Sequence, residues 1–243
     1  MAIRPVTRFA GTLPKAGNAE AECEDAFCLA GSQLAIADGA SEGSYSQVWA
    51  GILARAFCDD DAAGWQEPEF SSWIEACQRE WSTWERDLAQ KDLPWFTRDK
   101  LRQGAFAAFI GLALSASEWH AFACGDCCLL IIRDDAVAGS FPIERSDDFG
   151  NLPSLIASTR PVLDHALQVR TGEALPGDRL YLVSDALACW FLTGLENGER
   201  PWDLLATIVS DADLASLVSS ERQQGRLRND DVTLVAIEIA DVE

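Results

Sequence analysis

The chain has 243 residues, a hydrophobic fraction of 48% and a formal net charge of −20, enough length for one α/β or all-β unit with a sizeable core. Its acidity excludes a nucleic-acid backbone as partner, because such binding needs clustered Lys and Arg to release counterions. No apolar run nears the roughly 20 residues of a bilayer span, and Met1-Ala2-Ile3-Arg4-Pro5 is not followed by the apolar core of a signal peptide, so no membrane partner and a cytoplasmic location are expected.

In chain order, residues 5–11, 25–30 and 33–37 read as strands, the last two joined through Ala30-Gly31-Ser32 as an antiparallel hairpin. After Gly43, the apolar residues Val48, Ile52, Leu53, Ala56 and Phe57 predict a helix over Ser46–Cys58. A longer helix follows over Glu69–Gln90, where Trp73, Cys77, Trp81, Trp84 and Leu88 fall on one face. This tryptophan stripe is read as core, since packing onto a sheet needs no further assumption. Residues 104–114, 118–124, 127–133 and 178–184 are apolar runs bounded by Gly, Asp or Ser, and predict strands with a meander in the middle of the chain. Ala186–Leu195, Trp202–Val209 and Asp213–Gln224 read as helices, and Val232–Ile239 as a closing strand. Strands, then helices, then strands, without regular βαβ units or linkers, predict an α+β layered sandwich in a single domain over 1–243.

The eight cysteines are expected as reduced thiols, and Cys124 with Cys127 forms a CxxC that has no second pair or His at zinc-finger spacing. The two histidines, His120 and His165, disfavour a His-rich metal site or a Ser-His-Asp relay, which leaves carboxylates to carry any chemistry.

Asp38 follows Leu34-Ala35-Ile36-Ala37, Asp126 follows Phe122-Ala123-Cys124-Gly125, Asp185 follows Leu180-Tyr181-Leu182-Val183-Ser184, and Asp230 precedes Asp231-Val232. A single aspartate at a strand margin is usually a turn former or a cap. The joint pattern carries more. Glu24-Asp25-Ala26-Phe27, Ile36-Ala37-Asp38-Gly39, Gly104-Ala105, Cys124-Gly125-Asp126, Val183-Ser184-Asp185 and Asp230-Asp231-Val232-Thr233 come in an order that resembles the bacterial-type, metal-dependent serine/threonine phosphatase 2C family, over nearly the whole chain.

The resemblance implies two packed antiparallel sheets flanked by helices, and hydrolysis of phosphoserine or phosphothreonine in a phosphorylated protein substrate. It implies two Mg²⁺ or Mn²⁺ ions, with Asp38 bridging them, the Gly39 carbonyl on one, and Asp185 and Asp230 completing the other. Glu24 and Asp25 would act through water, and Asp126 would be a ligand of a third ion. All-oxygen ligands suit those metals, and convergent carboxylates need cations to stay ionised. Paired ions can activate a water for in-line attack. The chain also departs from the family pattern. Glu20 stands where the phosphate-binding arginine is expected, leaving Arg8 or Lys15 as substitutes. Ala186 and Cys189 replace a glycine and an aspartate, and Ala40-Ser41-Glu42 holds no histidine to act as a general acid. These losses keep open a second expectation, a catalytically weak phosphatase-like module that binds a phosphoprotein or regulates.

Overall fold

The computed structural model describes residues 3–40, 45–60, 62, 65, 67–91, 101, 103–150, 153–160 and 167–241; Ser41-Glu42, Gly43 and His165 lie outside them. The strands are β1 (Ile3–Leu13), β2 (Ala26–Ala30), β3 (Gln33–Gly39), β4 (Phe106–Ser115), β5 (Glu118–Cys124), β6 (Cys128–Arg133), β7 (Ala136–Phe141), β8 (Ile156–Ala157), β9 (Gln168–Glu173), β10 (Arg179–Val183) and β11 (Val232–Asp241). The helices are α1 (Ser46–Cys58), α2 (Glu67–Ala89), α3 (Asp185–Glu196), α4 (Pro201–Leu205) and α5 (Asp211–Gln223). One sheet has the order β1-β11-β10-β6-β7, the other β2-β3-β4-β5-β9 with β8 on β4, and every pairing is antiparallel. No helix among the described residues is long and apolar enough to cross a membrane.

The layers follow from side-chain alternation along the strands. Leu34 and Ile36 of β3 meet Leu180 and Leu182 of β10 and Val235 and Ile237 of β11 in the core between the sheets. Ala35 and Ala37 point the other way, onto α1 and α2. Tyr181 and Val183 of β10 turn outward onto Leu187 and Phe191 of α3 and Leu214 and Val218 of α5. The result is helix, sheet, sheet, helix. Trp73 and Trp81 of α2 are buried in the helix-side core, and Phe57 of α1 stacks edge-on with Phe109. Gly111 lets that ring lie on the sheet, since a Cβ there would fall 2.5 Å from it.

Three expectations need correction. The meander breaks after β5: β4 and β5 pair, but β6 crosses to the other sheet through Gly125, whose φ of 100° suits glycine. The helix expected over Trp202–Val209 stops at Leu205. There Thr207 and Ile208 make tight amide bonds to Leu204 and Leu205, and Ser210 caps α5, its hydroxyl accepting from the Asp213 amide at 3.3 Å. The same cap starts α5 two residues before the expected Asp213. The edge strands β7 and β9 were not expected, because β9 is almost wholly exposed and β7, although its first four residues alternate in exposure, is built largely from the small residues Ala136, Ala138, Gly139 and Ser140, so neither shows an apolar alternation in its sequence.

All eight cysteines are free. Burial pushes the Cys124 thiol up to about 12, which keeps it protonated and a poor nucleophile at neutral pH.

Between β9 and β10, buried Asp178 accepts two bonds from Arg133, at 2.8 and 2.7 Å, and one from the Leu175 amide at 2.8 Å. Asp178→Ala leaves the Arg133 charge and that amide without their partner. A loss of about 3 kcal/mol is expected, read as a lower urea midpoint at unchanged slope. A midpoint within error of wild type would show that water replaces this clasp.

Candidate functional site

Strand register gathers the aspartates. Ala26 at the start of β2 pairs with Ala37, so Asp25 lies beside the end of β3, where Asp38 pairs with Ala108. In the other sheet Leu13 at the end of β1 faces Val232 at the start of β11, and Val183 at the end of β10 faces both Leu234 and Cys128. Asp126 precedes β6, Asp185 follows β10 and Asp230 precedes β11. All five therefore stand at one end of the sandwich, contributed by both sheets.

Their fields overlap. Burial raises the Asp38 carboxyl well above its ordinary range, and the charges of Asp25, Asp126 and Asp230 raise it further. Burial likewise raises Asp25 to about 7, against the opposing pull of Thr233, whose hydroxyl donates to Asp25 Oδ2 at 2.7 Å. Burial is also the main cause of the raised Asp126 carboxyl. Two oxygens, Asp25 Oδ1 and Asp185 Oδ1, are buried with no hydrogen-bond partner among the described residues. A buried acceptor without a donor costs about 1–3 kcal/mol, more when charged, so these oxygens call for a cation or an ordered donor.

The backbone around them is fastened by a residue that stands in the sequence only as part of a motif. Asp231 Oδ1 accepts from the Lys15 amide at 2.7 Å and Oδ2 from the Glu24 amide at 2.8 Å, while its own amide donates to Asp230 Oδ1 at 3.0 Å. This ties the segment between β1 and β2 to the start of β11. Its signal in the sequence was an acid directly before a buried strand, which is also the mark of an ordinary turn. Gly39 is pinned the same way. Its amide donates to the Glu24 carbonyl at 3.3 Å, and a Cβ would lie 2.7 Å from that oxygen and 2.8 Å from Ser46 Cβ.

The cations are unevenly placed. Arg8, five residues before the end of β1, pairs with Glu238 at 2.6 Å and lies about 15 Å along the strand from the acidic end, too far to touch it. Lys15 is close, its Nζ 3.7 Å from Glu24 Oε2. Glu20 lies in a short 3-10 turn and is exposed. His120 sits in the middle of β5 with Nε2 3.6 Å from Glu118, away from the aspartates. Arg228, not singled out in the sequence, contacts Asp185 Oδ2 through its guanidinium, and its Nε is 3.8 Å from Asp230 Oδ2. Among the described residues no three Asp, Glu, His or Cys side chains are set to hold a metal ion as they stand. The donor set nonetheless fits one, being all oxygen, electrostatically crowded, and left with two unsatisfied carboxylate oxygens.

No protein-family model matches the chain, and no curated protein sequence matches it. Solved structures do. The Mycobacterium tuberculosis serine/threonine phosphatase PstP/Ppp aligns with a TM-score of 0.65 at 17% identity, over 99% of this chain and 100% of that one. The catalytic domain of serine threonine protein phosphatase PstP in complex with two manganese ions gives 0.62 at 18%, covering 98% and 100%. The S. agalactiae serine/threonine phosphatase gives 0.61 at 14%, covering 98% and 100%. The likeness runs end to end, and the fold is that of the bacterial phosphatase 2C-type serine/threonine phosphatases.

Proposed function

We propose that this chain is a metal-dependent phosphoprotein phosphatase acting on phosphoserine or phosphothreonine. The observation that carries the reading is the gathering of Asp25, Asp38, Asp126, Asp185 and Asp230 at one end of a phosphatase 2C-type sandwich, with buried carboxylate oxygens of Asp25 and Asp185 unpartnered. Two Mg²⁺ or Mn²⁺ ions would be held by Asp38, the Gly39 carbonyl, Asp185 and Asp230, with Glu24 and Asp25 acting through water and Asp126 available to a third. Such ions supply an activated water and neutralise phosphoryl charge.

The chain's own residues have distinct tasks in this reading. Asp38, rigid in β3 beside Ala108, fixes the centre of the cluster. Asp231 holds Lys15 and Glu24 in place through their amides, which keeps a lysine at the edge of the site where the family arginine is replaced. Lys15 is the candidate for orienting the phosphate, as a point charge rather than a bidentate fork. Among the described residues His120, in the middle of β5, is too remote to protonate the leaving group.

The test is turnover of a phosphothreonine peptide and of a small aryl phosphate by purified protein, with Mn²⁺, Mg²⁺ or chelator. Turnover with metal and none with chelator is expected. Metal-independent turnover would remove the acidic cluster from the mechanism. Phosphopeptide binding without turnover would select the second reading, a phosphoprotein-binding module.

A further inference from the structure

Arg228 occupies a place that the proposed chemistry assigns to a metal ion. It lies in the turn before β11, and its guanidinium rests on one oxygen of Asp185 while its Nε stands 3.8 Å from Asp230. Its charge extends to Asp126, where it opposes the upward push of burial. Three of the five gathered aspartates thus feel this cation, Asp230 feels the Arg222 guanidinium as well, and Asp185 Oδ1 remains without a partner.

The surroundings make the side chain, rather than the backbone, the movable part. The Asp230 amide donates to the Arg228 carbonyl at 3.1 Å, and the Arg222 guanidinium holds the Asp230 carbonyl from the other side. Asp185 is fixed at the first turn of α3, which packs on the sheet through Leu187 and Phe191. The Arg228 side chain is 39% exposed against 15% for Asp185, so it has open solvent to turn into. Arginine keeps its charge at any working pH and cannot relieve a clash with a second cation by losing a proton.

We infer that Arg228 is an internal counter-cation of the metal-free site, which a divalent ion must displace from Asp185 and Asp230, so that this residue sets the metal affinity. The inference rests on the metal-dependent reading given above. A guanidinium in contact with Asp185 and a divalent ion on the same carboxylate repel each other, and binding therefore includes the cost of breaking the ion pair. Even with Arg222 also acting on Asp230 and Asp231, two monovalent charges leave the gathered aspartates under-neutralised, which is why a divalent ion wins the exchange. For a partly exposed pair the penalty is modest, equivalent to about fivefold in affinity.

Calorimetric titration of the full chain with Mn²⁺, after chelator treatment, tests this on wild type, Arg228→Ala, Arg228→Gln and Asp185→Asn. Both Arg228 variants should bind Mn²⁺ about fivefold more tightly or better, and Asp185→Asn should bind more weakly than wild type. In chelator the Arg228 variants should melt below wild type, and the gap should close with saturating Mn²⁺. Circular dichroism confirms that each variant is folded, and the glutamine variant replaces the alanine variant if the latter is not. Equal or weaker Mn²⁺ binding by folded Arg228 variants, with binding by wild type intact, sinks the counter-cation role and leaves the metal reading standing. Absence of Mn²⁺ binding in every variant, the unblocked ones included, overturns both.

Discussion

Asp38→Asn is expected to abolish metal-dependent phosphopeptide turnover, by at least about 100-fold or ~3 kcal/mol of transition-state stabilisation, while the fold persists. The substitution keeps size and shape at a position fixed by pairing with Ala108 at the end of an interior strand, so the strand has no reason to rearrange. What it removes is the charge at the centre of the cluster, the one that feels Asp25, Asp126 and Asp230 together. In the metal-free protein that charge is a liability: burial and like-charged neighbours already favour its protonated form. The variant should therefore melt at or above wild type in chelator and gain less on adding Mn²⁺. Kinetics and melts run in parallel separate the two effects. Wild-type turnover in a folded Asp38→Asn protein would take this residue out of the mechanism and with it the main support for the phosphatase reading.

Much of the fold was legible because its central strands are buried on both faces and its helices carry one apolar face. Leu34 to Ala37 and Leu180 to Val183 could be read as strands without knowledge of their partners. The edge strands could not, since Gln168–Glu173 is held by pairing with β5 rather than by its own hydrophobicity. The end of α4 was also hidden, because it is set by the tight amide bonds of Thr207 and Ile208 and by Ser210 capping the next helix, and not by a break in the apolar pattern of Trp202–Val209.

For the site, the sequence located the aspartates at strand ends, and register explains why strand ends from both sheets meet. It could not supply what depends on side-chain direction across more than 200 residues of chain. Asp231 gripping the Lys15 and Glu24 amides and Thr233 donating to Asp25 are both of this kind. Arg8 and Arg228 show the same limit from opposite sides. The first is a candidate by sequence proximity and points to Glu238, whereas the second belongs to no motif and lies on Asp185.

Stability without metal should fall as pH rises between about 4 and about 7, and metal should reverse that fall. The sign follows from the raised carboxyls. Asp25 titrates at about 7 in the folded chain against 3.8 ordinarily, and Asp38 is also raised. Within that window the folded state holds more protons than the unfolded state, so unfolding releases protons and each step up in pH weakens the fold. Below the ordinary carboxylate range both states are protonated there and the penalty vanishes; above the folded value it is fully present, on the order of a few kcal/mol. A divalent ion binds the ionised cluster, so its stabilising effect should grow across the same window. Melting temperatures from pH 4.5 to 8 in chelator and in Mn²⁺ would show two curves that diverge as pH rises. A competing cause exists in the net charge of −20, which also grows more repulsive with pH. The two causes respond differently to salt. Surface repulsion is screened at roughly 0.5 M NaCl, whereas carboxylates desolvated together are not. Asp25→Asn and Asp38→Asn should each flatten the chelator curve, while neutralising an exposed acid such as Asp147 should not. A chelator curve that flattens in high salt, and is unmoved by either cluster variant, would assign the pH dependence to the surface and leave the cluster without its electrostatic strain.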